Sequence, residues 1–180
     1  MILLEQVHGG NGYAVRHKQD ADIPPYRVAA DYSISTVSGV ALAIETADCV
    51  PLILIDPKAG CIAAIHAGWR GAVSGVVLHA VRDMLACGST IEQMHAYFGP
   101  SARSCCYQVS ADFSAPYEYK NGAYYFDNTT FIIGQLLEIA FLKENIVTHY
   151  ANCTICSERY CSFRRQGALA LRQMTIVALK

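Results

Sequence analysis

If neighbouring strand ends come together, His8, Cys49 and His66 form a set of side chains able to hold a transition metal. Two imidazoles and one thiolate make a three-ligand set that leaves a fourth position for water. His66 lies in "AAIHAGWRGA" (63–72), where an apolar run ends in a histidine and the chain's one tryptophan follows beside Arg70, between glycines. Cys49 lies in "ETADCV" directly after Asp48, and His8 precedes a glycine pair in "EQVHGG". A strand-to-helix junction at 68–71 would offer free backbone N–H groups at a positive helix end, which favours an anion such as phosphate. Arg70 would add a planar, permanently charged fork there. Asp48, next to a ligand, could carry a proton or hydrogen-bond a ligand histidine; the second role is preferred. The three ligands share no short motif. Spacing therefore also allows a plainer reading, with His66 a hydrogen-bonded core histidine and Trp69 a packing residue.

Side chains so far apart in the chain meet only if strand ends converge, and the hydrophobic pattern supplies the strands. "VALAI" (40–44) and "VPLILI" (50–55) read as two buried strands. "DPKAG" is a turn, and "CIAAIHA" (61–67) is a third strand that delivers His66 at its end. Apolar residues at three and four spacing predict a helix over 72–88, stopped by Gly88. "MHAYFGP" (94–100) is another strand, and "NTTFIIGQLLEIAFLKENI" (128–146) has helical period with Asp127 or Asn128 as its cap. Further strands are expected near "IVTHYANC" and in "MTIVALK". Strands separated by two helices predict a single mixed α+β (α/β) domain over residues 1–180, a mixed sheet flanked by helices, with the strand order left open.

Composition narrows the partners. The chain has 180 residues, 53% of them hydrophobic, enough for one sizeable core. Its 14 basic and 15 acidic residues are scattered, so no cationic stripe suggests nucleic acid. No apolar stretch approaches the roughly 20 residues that cross a bilayer. The opening "MILLEQVHGG" lacks the basic start and apolar middle of a secretion signal, which predicts a cytoplasmic protein. In that compartment the eight cysteines are expected as reduced thiols, in the core or at a metal. Cys153 and Cys156 have the spacing of half a zinc ribbon, but no second pair follows at ribbon spacing. No separate metal is therefore expected there, and Cys105 and Cys106 read as packing residues. His17, His79, His95 and His149 belong to no motif.

"QVHG", "TADCVPLILID", "AAIHAGWRGAVSGV", "GPSARSCCYQV" and "CSFRR" occur in the order found in the bacterial YfiH/YlmD family, also described as laccase-domain or polyphenol oxidase proteins, and the chain resembles that family over nearly its whole length. The resemblance implies a compact mixed α/β fold, a zinc ion, and purine nucleoside chemistry: phosphorolysis of adenosine, inosine and methylthioadenosine, together with adenosine deamination. By position it places the metal ligands on His8, Cys49 and His66. Arg164 and Arg165 match its arginine-pair signature and would reach substrate phosphate with Arg70, or else serve as structural arginines. Asp31 and Asp127 fall on acidic positions of the family whose roles do not follow from the sequence. Family members commonly begin several dozen residues before "QVHG", so the chain is expected to lack that segment, and a homo-oligomer in which another subunit completes the site stays open. Two other activities are carried forward. A copper-dependent polyphenol oxidase of laccase type would draw on more imidazoles than the six present. A thiol hydrolase would use Cys49 as nucleophile and His66 as base. A non-catalytic relative is the remaining option.

Overall fold

A computed structural model describes residues 1–180. Its strands are β1 (Ile2–Leu3), β2 (Gly12–Val15), β3 (Tyr32–Ser35), β4 (Ala41–Thr46), β5 (Val50–Asp56), β6 (Cys61–Ala67), β7 (His95–Phe98), β8 (Gln108–Val109), β9 (Glu118–Lys120), β10 (Ala123–Tyr125), β11 (Ile146–Val147) and β12 (Gln173–Ala178). Its helices are α1 (Trp69–Val73), α2 (Val76–Ala86), α3 (Asn128–Glu138) and α4 (Phe163–Gln166), with four short 3₁₀ turns between elements. β5 and β6 pair antiparallel at the middle of a six-stranded mixed sheet of order β11-β7-β5-β6-β3-β2. A three-stranded sheet, β1-β4-β12, lies against it, and β8-β10-β9 forms a small separate sheet.

The long apolar runs of β5 and β6 follow from burial on both faces. Alternate residues Leu52, Leu54, Ala63 and Ile65 pack with Val77, Val81 and Met84 of α2 and Ile132 and Leu136 of α3. The intervening Ile53, Ile62 and Ala64 pack with Leu42 and Ile44 of β4 and with Ile2 and Leu4. The same alternation puts His66 on the face of Ile62 and Ala64, away from the helices and at the end of the cleft between the two sheets. This is the mixed α+β domain read from the sequence, with the strand order now fixed.

The helix expected over 72–88 begins earlier and is broken. Trp69–Val73 is already helical, and Gly75, at φ +84°, turns the chain before α2 starts. The helix from residue 128 stops at Glu138, not near 146: Ala140 takes φ +63°, and Ile146–Val147 pairs in parallel with β7. Asp127 is the cap, accepting the Thr130 N–H at 3.0 Å. β1, β2, β3 and the β8–β10 sheet have no counterpart in the sequence reading, because they are two to four residues long and carry little apolar alternation.

Candidate functional site

Three chain segments arrive at one end of the cleft. β6 ends at His66–Ala67, the tight link 47–49 between β4 and β5 carries Cys49, and the segment after β1 carries His8. The imidazole nitrogens and the thiol sulfur lie within 4.8 Å of one another. Cys49 Sγ is 3.8 Å from His8 Nε2, and the two rings stand edge to face with centroids 4.7 Å apart. Tetrahedral zinc with bonds of about 2.0–2.3 Å needs donors roughly 3.3–3.6 Å apart, so movements on the order of 1 Å would close the set. Gly68 is part of the cradle: a Cβ there would stand 2.9 Å from His8 Cδ2 and 3.2 Å from Cys49 Sγ. Donor chemistry, spacing and cradle all fit a divalent metal of the zinc type.

Asp31 builds the site around itself. It is fully buried, its Oδ1 accepts from the His8 N–H at 2.8 Å and bonds His66 Nδ1 at 2.8 Å, and its Oδ2 accepts from the Gly9 N–H at 2.6 Å. These bonds hold His8 in a left-handed conformation, φ +60°, that a non-glycine residue seldom adopts. They also leave the other nitrogen of His66 free to face Cys49 and a metal. Asp48, expected from its place beside Cys49 to orient a ligand histidine, does not do so. The Asp48 carboxylate instead accepts from Thr154 Oγ1 at 2.7 Å and from the Arg164 N–H at 2.6 Å, while its carbonyl accepts from the Ala102 N–H at 2.8 Å. Those three partners hold Asp48 at φ +89° in the 47–49 link.

Protonation reflects this packing. Burial raises the Asp31 carboxyl, but the bond to His66 and the Gly9 and His8 N–H groups outweigh it and hold the pKa below the usual carboxylate value. Burial also disfavours charge on Cys49 and His66. Hydrogen bonds and charge from His66 and His8 nonetheless bring the Cys49 thiol down to about 7, and Asp31 and Cys49 bring His66 up to about 9. A metal needs the thiolate and the neutral imidazole. His66 keeps its proton below about 9 and Cys49 regains one below about 7, so protons compete with the metal throughout that interval. Zinc affinity of the metal-free protein is expected to climb from pH 7 to pH 9 and then flatten. Competition with a chromophoric chelator measures it, and a level profile across the interval contradicts this.

The ligands lie in the wall of a cavity of about 500 Å³, within the range of small-molecule sites. Trp69, Tyr107 and Phe163 give it aromatic faces, and Arg164 lines it with its guanidinium 4.9 Å from the Tyr107 ring centre. Arg172 lines it too, a residue the sequence reading missed because it belongs to no motif. Asn128 is another such residue. Its Nδ2 donates to the Ala67 carbonyl at 2.8 Å, which ties α3 to the end of β6. Arg70 and Arg165 are not among the lining residues. Arg70 is exposed and stacks on Trp69 at 4.6 Å, and Arg165 donates to the carbonyls of Thr154, Ile155, Ser157 and Tyr160. Of the other histidines, His79 donates through Nδ1 to the Gly10 carbonyl at 2.9 Å and supports the His8 segment from behind.

Residues 1–180 match the family described as multi-copper polyphenol oxidoreductase laccase. The chain is 33% identical over 164 residues to a protein of Aquifex aeolicus named purine nucleoside phosphorylase, an alignment that covers 89% of this chain and 75% of that one. It is 38% identical over 79 residues to an adenosine deaminase of an unknown prokaryotic organism, which covers 44% of this chain and 30% of the relative. The crystal structure of YlmD from Geobacillus stearothermophilus superposes with a TM-score of 0.86 at 28% identity, covering 99% of this chain and 73% of that one.

Proposed function

The chain belongs to the laccase-domain family, and from that premise we propose that it is a zinc-dependent purine nucleoside enzyme that cleaves the glycosidic bond with phosphate and also deaminates adenosine. One observation carries the reading: two imidazoles and a thiol converge in the wall of an aromatic cavity that two arginines also line. Flat faces on Trp69, Tyr107 and Phe163 suit a purine ring, and Arg164 and Arg172 suit phosphate. Arg70 and Arg165 are left out of the substrate site because neither lines the cavity and the Arg165 guanidinium is bound to backbone carbonyls. Asp48, with both carboxylate oxygens already accepting hydrogen bonds, serves as a fixed negative charge and not as a proton carrier. Such a charge stabilises the oxocarbenium character that a sugar develops as its glycosidic bond breaks. When bound, zinc supplies a Lewis acid and an activated water for attack on the purine ring. Asp31 orients His66, which is itself buried.

A multicopper centre is set aside because two of the six histidines come to the site, and a single copper on the same trio is the alternative to zinc. Small molecules are the proposed partners; no helix is long and apolar enough to cross a membrane. Incubation with adenosine and phosphate, followed by chromatography, tests the function. Adenine with ribose 1-phosphate is the expected phosphorolysis product, and inosine the expected deamination product. Untouched adenosine in zinc-loaded protein refutes the proposal.

The alignment Cys49–His66–Asp31, with a lowered thiol and an oriented imidazole, favours a thiol hydrolase as the second reading. His8, closing on the same sulfur, makes the set a better metal site than a dyad. Iodoacetamide separates the two: zinc shields Cys49 in the metal-loaded enzyme, whereas a hydrolase is alkylated there selectively.

A further inference from the structure

We propose that Cys105, Cys106, Cys153 and Cys156 hold a second metal ion, a structural zinc bound by four thiolates, at a place separate from the His8–Cys49–His66 set and independent of the function proposed above. The four sulfur atoms lie within 4.8 Å of one another. Along the sequence no cysteine pair follows Cys156 at ribbon spacing. The fold supplies the pair from upstream instead. Ser101 and Cys153 form a parallel bridge, with the Ser101 N–H donating to the Asn152 carbonyl and the Thr154 N–H to the Ser101 carbonyl, each at 3.0 Å. That bridge sets the two cysteine turns side by side. The first turn closes through the Cys106 and Tyr107 N–H groups, which donate to the Arg103 carbonyl at 3.0 and 2.8 Å.

Three features fit zinc better than packing or oxidation. A tetrahedral ion with Zn–S bonds of about 2.3 Å places its sulfurs roughly 3.8 Å apart, so the observed cluster needs an adjustment on the order of 1 Å. Two disulfides would draw this single group of four sulfurs into separate pairs. Cys105 and Cys156 are exposed, which gives an ion a path in from solvent.

The cluster also has something to hold. Residues 148–162 contain no helix or strand, yet this segment provides Thr154 to Asp48, and the turn of Ala102 provides its N–H to the same residue. Arg165 clamps four carbonyls of the segment from one side, and an ion on the four sulfurs fastens it from the other. Closed four-thiolate zinc centres contribute folding energy to segments of this kind.

Metal analysis of protein purified under reducing conditions without added chelator tests the site. About two zinc ions per chain are expected, falling to about one in Cys49→Ser and to about one in Cys156→Ser, each variant keeping the other ion. Cobalt exchange gives a second readout on the unmodified chain. A tetrahedral four-thiolate cobalt spectrum is expected, and it persists in Cys49→Ser. Should Cys156→Ser fail to fold, the cobalt spectrum of the unmodified chain and of Cys49→Ser decides the matter. The proposal fails if the protein carries one ion that Cys49→Ser removes, or if intact mass shows disulfides among these cysteines in the reduced preparation. It also fails if the cobalt spectrum of the unmodified chain shows a single thiolate.

Discussion

Cys49→Ser is expected to lower nucleoside turnover by at least about a hundredfold while leaving the fold intact. Removing a partner of a metal ligand commonly costs 10–100-fold in affinity or activity, and loss of the one sulfur ligand exceeds that. The hydroxyl of serine does not ionise near neutral pH, so the variant offers two imidazoles and a poor oxygen donor where the protein offers a thiol already poised at about 7. The fold is expected to survive because Cys49 lies in the link between β4 and β5, outside both main hydrophobic clusters. Metal content, turnover of adenosine with phosphate, and circular dichroism measure the three parts of this outcome. Turnover within threefold of the parent would show that Cys49 is no ligand. Turnover lost with the zinc still bound in the variant's site would point to the thiol as nucleophile.

What could be read from the chain depended on the distance over which each signal acts. β5 and β6 were legible because burial on both faces makes their apolar runs continuous, and His66 was legible because it ends one of them. The metal trio came from side-chain chemistry and motif resemblance together, and the geometry brings its members within reach. Asp31 was not legible. It sits in a short stretch with no chemical motif of its own, and its role exists only once β3 is paired with β6 and the His8 segment folds over it. Arg164 and Arg165 were read as equals, but neighbours on a helix project about 100° apart, so one faces the cavity and the other the 154–160 segment. The cysteine cluster was hidden for a related reason: ribbon spacing assumes that both pairs follow one another along the chain, whereas a bridge at Ser101 joins pairs from different parts of it.

Asp31→Asn tests the same site from beneath, and its effect reaches stability as well as metal binding. The carboxylate receives two backbone N–H groups and bonds the His66 ring, all in a place without solvent. An amide keeps the shape but turns an NH₂ group toward at least one of those donors, so a buried N–H loses its acceptor and the His66 imidazole loses the anion that orients it. Breaking one side of a buried charged pair costs about 3–5 kcal/mol, and the near-isosteric amide places the expected loss at the lower end, about 3 kcal/mol. For a domain of this size that corresponds to a fall in Tm of roughly 6–12 °C. The left-handed His8 backbone, held by Asp31 at residues 8 and 9, is then less firmly fixed, and zinc affinity is expected to drop 10–100-fold. Asp48→Asn is the comparison: it faces Thr154 and the Arg164 N–H, not a ligand, so zinc affinity should change less than threefold while turnover falls. Chelator competition on the two variants separates the roles. Equal losses of zinc affinity in both would show that Asp31 has no orienting role that Asp48 lacks, and an unchanged affinity in Asp31→Asn would mean that His66 holds its position without Asp31.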